Sequence, residues 1–246
     1  MSEARGKYEH FSDGPLADGL PSIVAAAHEL KSPLGLIRQL SLTLEESDLR
    51  KTDQNHILRQ ISLTSERALR LTSDLTRSIR LSDAMFELEP INPKQLCEDI
   101  VHELKPLFIA HNRDLKLVSR KHLLLVANRD LLRRIIINFS DNALNYTEGD
   151  TSIEIHINQC NHGKTVRLGV RDYGPALSND INKSLNSKIS NNVYSSINAR
   201  PQSSGLGLYI ASKFANVMNG EIGVMRHRNG STFYVDLQSS QQLSLL

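Results

Sequence analysis

Two consecutive segments carry apolar residues at helical spacing, and this pattern constrains the fold more than any other feature of the sequence. The first segment, predicted as a helix over 21–47, repeats every seven residues with two apolar edges: Ile23, Leu30, Ile37 and Leu44, and Ala26, Pro33 and Leu40. The second, predicted over 54–82, has apolar positions mostly three and four residues apart: Ile57, Ile61, Thr64, Ala68, Leu71, Leu75 and Ile79. Two amphipathic helices joined by a short connection predict an antiparallel hairpin.

A single hairpin cannot cover its own apolar stripe. We therefore expect two copies of the chain to pair as a homodimer, with the two hairpins forming a four-helix bundle. The periodicity alone leaves open a plain coiled-coil spacer.

His28 is the residue of the first helix that stands out chemically. It falls on the side opposite the apolar stripe, next to Glu29 and five residues before Pro33, which is expected to bend the helix. A neutral imidazole is a nucleophile near pH 7, and an adjacent carboxylate favours one tautomer. The alternative is a solvated surface histidine without a chemical role.

The second half of the chain has a different pattern. After Pro90 and Pro93 the sequence changes to mixed helix and strand, which predicts a sheet with helices packed on one face. We predict helices at 94–111, 130–146 and 206–218, and strands at 115–118, 122–127, 152–159, 166–171, 221–225 and 232–237. The expected organisation is a leader or poorly ordered tail at 1–19, a hairpin at 20–83, a linker at 84–93, a second domain at 94–240 and a tail at 241–246.

Composition excludes several classes of function. A net charge of +2, 5% aromatic residues and no Trp argue against nucleic acid as a partner. The two cysteines, Cys97 and Cys160, suit neither a disulfide framework nor a metal site and fit a cytoplasmic protein. No apolar run approaches the roughly 18 residues of a membrane span, and no signal peptide is evident, so we expect no insertion into a membrane.

Three clusters of polar residues and glycines in the second half of the chain could bind a ligand. The first is the run 138–147, in which Asn138 and Asn142 are four residues apart and so share one helix face. Asparagine is a poor structural choice inside a helix, and amide oxygens there could hold a hydrated Mg²⁺ beside a polyphosphate. The alternative is a pair of solvated asparagines.

The other two clusters contain glycine. Asp172 and Gly174 follow a predicted strand, where the carboxylate can accept a hydrogen bond from an exocyclic amine such as that of adenine, although Asp-x-Gly is also a common turn. Gly205 and Gly207 precede an apolar helix, and glycines at a helix start leave backbone N–H groups free to meet phosphate oxygens.

Together with the order His28-Glu29-Leu30-Lys31-Ser32-Pro33, these clusters resemble those of the sensor histidine kinases of two-component systems. The resemblance covers residues 21–240 and implies a dimerisation and phosphoacceptor hairpin followed by an ATP-binding α/β sandwich of the Bergerat type, shared with DNA gyrase B and Hsp90. It implies ATP and Mg²⁺ as cofactors, with Asn142 as a metal ligand. The residues that it assigns to ATP binding are Asn138, Asn142, Asn145, Tyr146, Asp172, Gly174, Gly205, Leu206, Gly207 and Leu208.

The resemblance also implies a reaction. His28 would attack the γ-phosphate of ATP, with Glu29 orienting the imidazole or taking its proton, and the phosphoryl group would pass to an aspartate of a response-regulator receiver domain. Ser32, one helical turn after His28, stands where members of this family that also dephosphorylate their regulator have Thr or Asn. The alternatives are a degenerate kinase that serves as a dimeric binding scaffold and an ATPase that uses nucleotide as a conformational switch.

The sequence departs from the family pattern at four places. Asn145 stands where a lysine is usual, Pro175-Ala176 lacks the second glycine after Asp172-x-Gly174, and Ser203 replaces the first glycine of the last box. The stretch 179–204, which corresponds to the ATP lid, is rich in Asn and Ser and has Lys183, Lys188 and Arg200 as its cations. These departures predict a slower kinase rather than a different fold.

Overall fold

The structure is a computed structural model. It describes residues 20–46, 49–79, 86–119, 123–147, 151–175, 178, 183, 187 and 206–240, and for residues 20–26, 28, 29, 46, 78 and 79 it describes the backbone only. The predicted tails at 1–19 and 241–246 lie outside these residues.

The first two helices form the predicted hairpin. Helix α1 (Leu20–Glu46) contains Pro33 without ending there, and it packs against α2 (Lys51–Ile79). The apolar stripe is confirmed wherever its side chains are described, because its members are half-buried while most of their neighbours are exposed. In α1 these members are Leu30, Pro33, Ile37, Leu40 and Leu44, and in α2 they are Ile57, Ile61, Thr64, Leu71 and Leu75, together with the buried Ala68.

A five-stranded sheet forms the centre of the second half, with strand order β2-β4-β5-β7-β6. Its strands are β2 (Leu115–Val118), β4 (Ile153–Cys160), β5 (Thr165–Arg171), β6 (Glu221–Arg226) and β7 (Ser231–Gln238). Strands β2 and β4 are parallel and the other neighbours are antiparallel. Buried and less buried residues alternate along β4, which places Ile153, Ile155 and Ile157 on the core side.

Three helices cover the core side of this sheet: α3 (Pro93–Ala110), α4 (Arg129–Tyr146) and α5 (Leu206–Val217). The start of α3 is fixed by Asn92, whose side chain accepts from the backbone N–H of Lys94 and Gln95, with Pro93 in the first turn. Asn128 caps α4 in the same way by accepting from the N–H of Leu131. The predicted α/β fold, a helical hairpin followed by a sheet with helices on one face, is confirmed.

A second, two-stranded sheet was not predicted. Strand β1 (Glu89–Ile91) pairs antiparallel with β3 (Leu125–Ala127), so the segment predicted as a linker at 84–93 contains a strand. Pro90 had indicated a break in structure, but proline is tolerated on the edge strand of a sheet because its missing N–H is not needed there. Strand β3 is also shorter than the predicted 122–127.

None of the described helices is both long enough and apolar enough to cross a membrane.

Burial separates the two cysteines chemically. Cys97 is fully buried on α3, and this burial, with a smaller contribution from Glu98, raises the pKa of its thiol to about 12. Because the thiolate is the reactive form, Cys97 is inert at neutral pH, whereas Cys160 at the end of β4 is half-buried.

We predict that iodoacetamide modifies Cys160 but not Cys97 in the folded protein, and both after denaturation. Peptide mass spectrometry with and without guanidinium measures this difference. Equal labelling of the two thiols in native buffer would contradict the core position of Cys97.

Candidate nucleotide site

Helix α4 has two chemically different sides. Its apolar residues, including Leu131, Ile135 and Phe139, are fully buried in the core. The spacing places Asn138, Asn142 and Asn145 along one polar stripe, in which the first two are half-buried and the third is exposed.

One amide on this stripe lacks a partner. Nδ2 of Asn138 is buried and makes no hydrogen bond to any of the described residues. A buried donor without a partner costs the folded state about 1–3 kcal/mol. A ligand with a hydrogen-bond acceptor at this place would recover that free energy.

The first turn of α5 lies next to this stripe. A Cβ atom built on Gly207 would lie 3.9 Å from Nδ2 and 4.0 Å from Oδ1 of Asn142. Leu206 and Leu208 have their side chains buried in the core, so only the main chain of this turn can meet a ligand. The predicted contribution of these two leucines to ATP binding stays a prediction.

Asp172 is a buried acid held by fixed donors. It is 1% exposed just after β5. Its Oδ1 accepts from the backbone N–H of Gly174 at 3.1 Å and of Ser231 at 3.3 Å, and its Oδ2 accepts from Oγ of Ser231 at 2.6 Å. Hydrogen bonds of this kind fix the orientation of the carboxyl group.

Gly230 and Ser231 form the turn that closes over Asp172, and the sequence analysis did not find this role. Gly230 has a φ of +85°, and a Cβ there would lie 2.0 Å from the carbonyl oxygen of Asp172. Only glycine fits such a position. The sequence predicted strands on both sides of this turn, at 221–225 and 232–237, but spacing alone could not show that the turn contacts a residue far away in the sequence.

The end of α4 is tied to the Asp172 loop. Thr147 is buried, and its Oγ1 accepts from the backbone N–H of Tyr173 at 3.5 Å. The carbonyl of Thr147 accepts from Nη2 of Arg113 at 2.9 Å. The first of these bonds connects the end of α4, just beyond the asparagine stripe, to the residue after Asp172. Tyr146, the residue before Thr147, is half-buried.

The hairpin lies against the polar side of α4. Nη1 of Arg67 on α2 donates to Oδ1 of Asn145 at 3.0 Å, and its Nε lies 3.6 Å from Oδ2 of Asp141. Nη2 of Arg70 is 4.0 Å from the same oxygen. Further along, Arg134 of α4 pairs with the buried Asp74 of α2.

Several predicted residues are described only in part. His28 and Glu29 lie in α1, but their side chains are outside the described set. Ser32 is exposed on the same helix. Gly205 and most of 179–204, including Lys188 and Arg200, lie outside the described residues, and Lys183 is exposed.

Comparison with known proteins finds similarity to histidine kinases in both halves of the chain. Residues 127–241 match the family of histidine kinase-, DNA gyrase B- and HSP90-like ATPases. The histidine protein kinase SaeS of Staphylococcus epidermidis is 27% identical over 219 residues, which is 87% of this chain and 62% of that protein. The sensor protein kinase PmrB of Pseudomonas aeruginosa is 28% identical over 215 residues, covering 86% and 43% of the two chains.

The chain is similar to sensor histidine kinases over 86–87% of its length. It spans less than two thirds of the length of these two relatives. The ATPase family match includes the asparagine stripe, Asp172 and the first turn of α5.

Solved histidine kinases share the fold. Full-length ShkA, in complex with AMPPNP, gives a TM-score of 0.59 at 21% identity and covers 92% of this chain and 47% of its own. ThkA, in complex with the response regulator protein TrrA, gives 0.60 at 19% identity, with 92% and 63% covered. At this identity the likeness establishes architecture only.

We predict that Ser231→Ala lowers the free energy of unfolding by about 1–3 kcal/mol, since it leaves a buried carboxylate oxygen without its hydroxyl donor. Urea denaturation followed by circular dichroism measures the change. Ser152→Ala is the control, because that hydroxyl accepts only at the surface, from Nζ of Lys116. A loss for Ser231→Ala no larger than that of the control would contradict the role of Ser231.

Proposed function

We propose that this chain is the transmitter core of a two-component sensor kinase, which transfers the γ-phosphoryl group of ATP to His28 and then to an aspartate of a response-regulator receiver domain. The observation that carries the proposal is the convergence of three features in one region: the amide of Asn138, which has no partner among the described residues, the Asn142–Gly207 contact and the buried Asp172. The similarity of the chain to the histidine protein kinase SaeS and the sensor protein kinase PmrB supports it, and the ThkA–TrrA complex supports a response regulator as the partner.

The adenine end of the site is assigned to Asp172. A carboxylate held by Ser231 and Gly174 can accept a hydrogen bond from the exocyclic amine of adenine without reorganising. The glycines Gly174, Gly205 and Gly207 would let the backbone approach the nucleotide closely, and Tyr146 would lie along it.

The phosphate end is assigned to the asparagine stripe. Nδ2 of Asn138 is a donor and so suits a phosphate oxygen, while the amide oxygen of Asn142 suits Mg²⁺, which takes oxygen ligands and keeps several of its waters. The metal would supply charge neutralisation at the phosphates, and Asn142 together with the Leu206–Gly207 main chain would hold the phosphates in place.

The acceptor chemistry is assigned to α1. His28 forms the N–P bond as the bond between the γ-phosphorus and the bridging oxygen breaks and ADP leaves. Glu29 orients the imidazole or takes its proton. In the second step the phosphoryl group moves to a carboxylate of the receiver domain, which regenerates His28.

Two hairpins would pair in a homodimer. Large apolar side chains are left exposed on a single hairpin, among them Leu34 at 58%, Leu58 at 54% and Leu69 at 70%. A second copy would cover such residues in a four-helix bundle. We place this assembly in the cytoplasm, where ATP is available, with the hairpin at 20–83 and the ATP-binding domain at 94–240.

The proposal predicts an acid-labile, base-stable phosphate on His28 after incubation with Mg-ATP. His28→Ala removes the acceptor nitrogen and Asn142→Ala the metal-binding amide, so labelling with γ-³²P-ATP is expected to fall to background in both. His56→Ala is the control, because His56 is an exposed histidine on α2 and is expected to label like wild type. Label that persists in His28→Ala would refute the acceptor assignment.

For Ser32 we predict a role in removing phosphate from the regulator. The hydroxyl lies one turn after His28 and is exposed, where it can orient a water molecule. Ser32→Ala is expected to slow dephosphorylation of the receiver domain by on the order of tenfold or more, while autophosphorylation is retained. The receiver domain is first labelled by the wild-type protein, and its rate of dephosphorylation is then compared in the presence of wild type and of Ser32→Ala. Equal rates would contradict this role of Ser32.

A further inference from the structure

The phosphate side of the proposed ATP site has an unfavourable charge balance. A nucleoside triphosphate brings several negative charges, yet the stripe of Asn138, Asn142 and Asn145 is neutral and Asp141 beside it is acidic. No Lys or Arg occurs anywhere in 138–147. A cation for the phosphates therefore has to come from another element.

Helix α2 supplies cations at this position. The guanidinium of Arg67 bridges Asn145 and Asp141, with Nη1 at 3.0 Å from one and Nε at 3.6 Å from the other. Asp141 has a side chain only 12% exposed, whereas that of Arg67 is 33% exposed. The arginine thus lies at the edge of the polar stripe, and part of its side chain is exposed to solvent.

The packing of α2 brings it to both walls of the site. It contacts α5 as well as α4, and the first turn of α5 faces Asn142. The ion pair between Asp74 and Arg134 fixes α2 on α4 two helical turns away from Arg67. Arg67 is therefore held by the hairpin at Asn145, which follows Asn142 on the same polar stripe, and Asn142 in turn borders Gly207.

We propose that Arg67 is an ATP-binding residue: it completes the site from the hairpin and supplies the positive charge that Asn145 does not. This inference rests on the proposed function. On binding, the guanidinium exchanges its bond to the neutral amide of Asn145 for a charge-assisted bond to a phosphate oxygen, which is the stronger of the two. Asp141 keeps the side chain oriented toward the stripe throughout.

Arg67 is favoured over the neighbouring arginines by its contacts. Among the described residues, the ion pair of Arg70 is with Asp141, at 4.0 Å. Arg77 pairs with Asp130 in the first turn of α4, at the end of the helix opposite to Asn145, and lies over the ring of Phe86. Arg77 is thus a matched control: the same residue type, on the same helix, paired with an acid of α4.

The test is isothermal titration of Mg-ATP into wild type, Arg67→Gln, Arg77→Gln and the double variant Arg67→Gln/Asn145→Lys, with thermal melting to check folding. We expect Arg67→Gln to weaken binding on the order of 10- to 100-fold, as loss of a charged hydrogen bond does. Arg77→Gln should bind like wild type. The double variant should recover most of the lost affinity, because it returns a cation to α4 itself, which a purely structural role would not allow.

The proposal is overturned if Arg67→Gln binds Mg-ATP as tightly as wild type, or more tightly, or if Asn145→Lys restores nothing in a double variant that melts like wild type. If wild type and Arg67→Gln bind Mg-ATP equally well, this inference is wrong but the proposed function is not affected. If the wild-type protein does not bind Mg-ATP, both the proposed function and the role of Arg67 are wrong.

Discussion

The burial of one side of helix α4 against the sheet is the constraint on which the rest of the structure depends. Leu131, Ile135 and Phe139 on one side of this helix are fully buried in the core, so the helix cannot rotate about its axis. Its asparagines must therefore lie on the side away from the core. That orientation gives Asn142 its contact with Gly207 and leaves Asp141 within reach of α2. Packing energy, rather than the polar groups themselves, thus positions the candidate site.

The two ends of the site are then held by different kinds of interaction. At the end proposed for adenine, Asp172 is fixed inside the α/β domain by hydrogen bonds from Ser231 and Gly174, which do not depend on the hairpin. At the end proposed for the phosphates, Arg67 connects α2 to the domain through a hydrogen bond to the exposed Asn145 and an ion pair with the buried Asp141. Hydrogen bonds between exposed groups contribute little net stability, so the proposed exchange of the bond to Asn145 for a bond to a phosphate oxygen costs little.

The sequence predicted the elements but not the contacts between distant ones. Periodicity located both hairpin helices and every strand of the five-stranded sheet, since each is a local pattern. It missed β1, because three residues with a proline carry no periodic signal. It also missed Ser231 and Arg67, because their partners, Asp172 and Asn145, are brought near only by folding. The sequence showed only that Asn145 stands where a lysine is usual in the family. The structure shows that Arg67 of α2 lies beside this asparagine.

Hydrogen–deuterium exchange with and without Mg²⁺ and AMPPNP tests most directly whether one site joins the hairpin to the α/β domain. The account predicts that nucleotide slows exchange in peptides covering 138–147, 172–174 and 206–208, and also in the peptide of α2 that contains Arg67. Protection confined to the α/β domain would contradict the composite site, and the absence of any protection would contradict the nucleotide site itself.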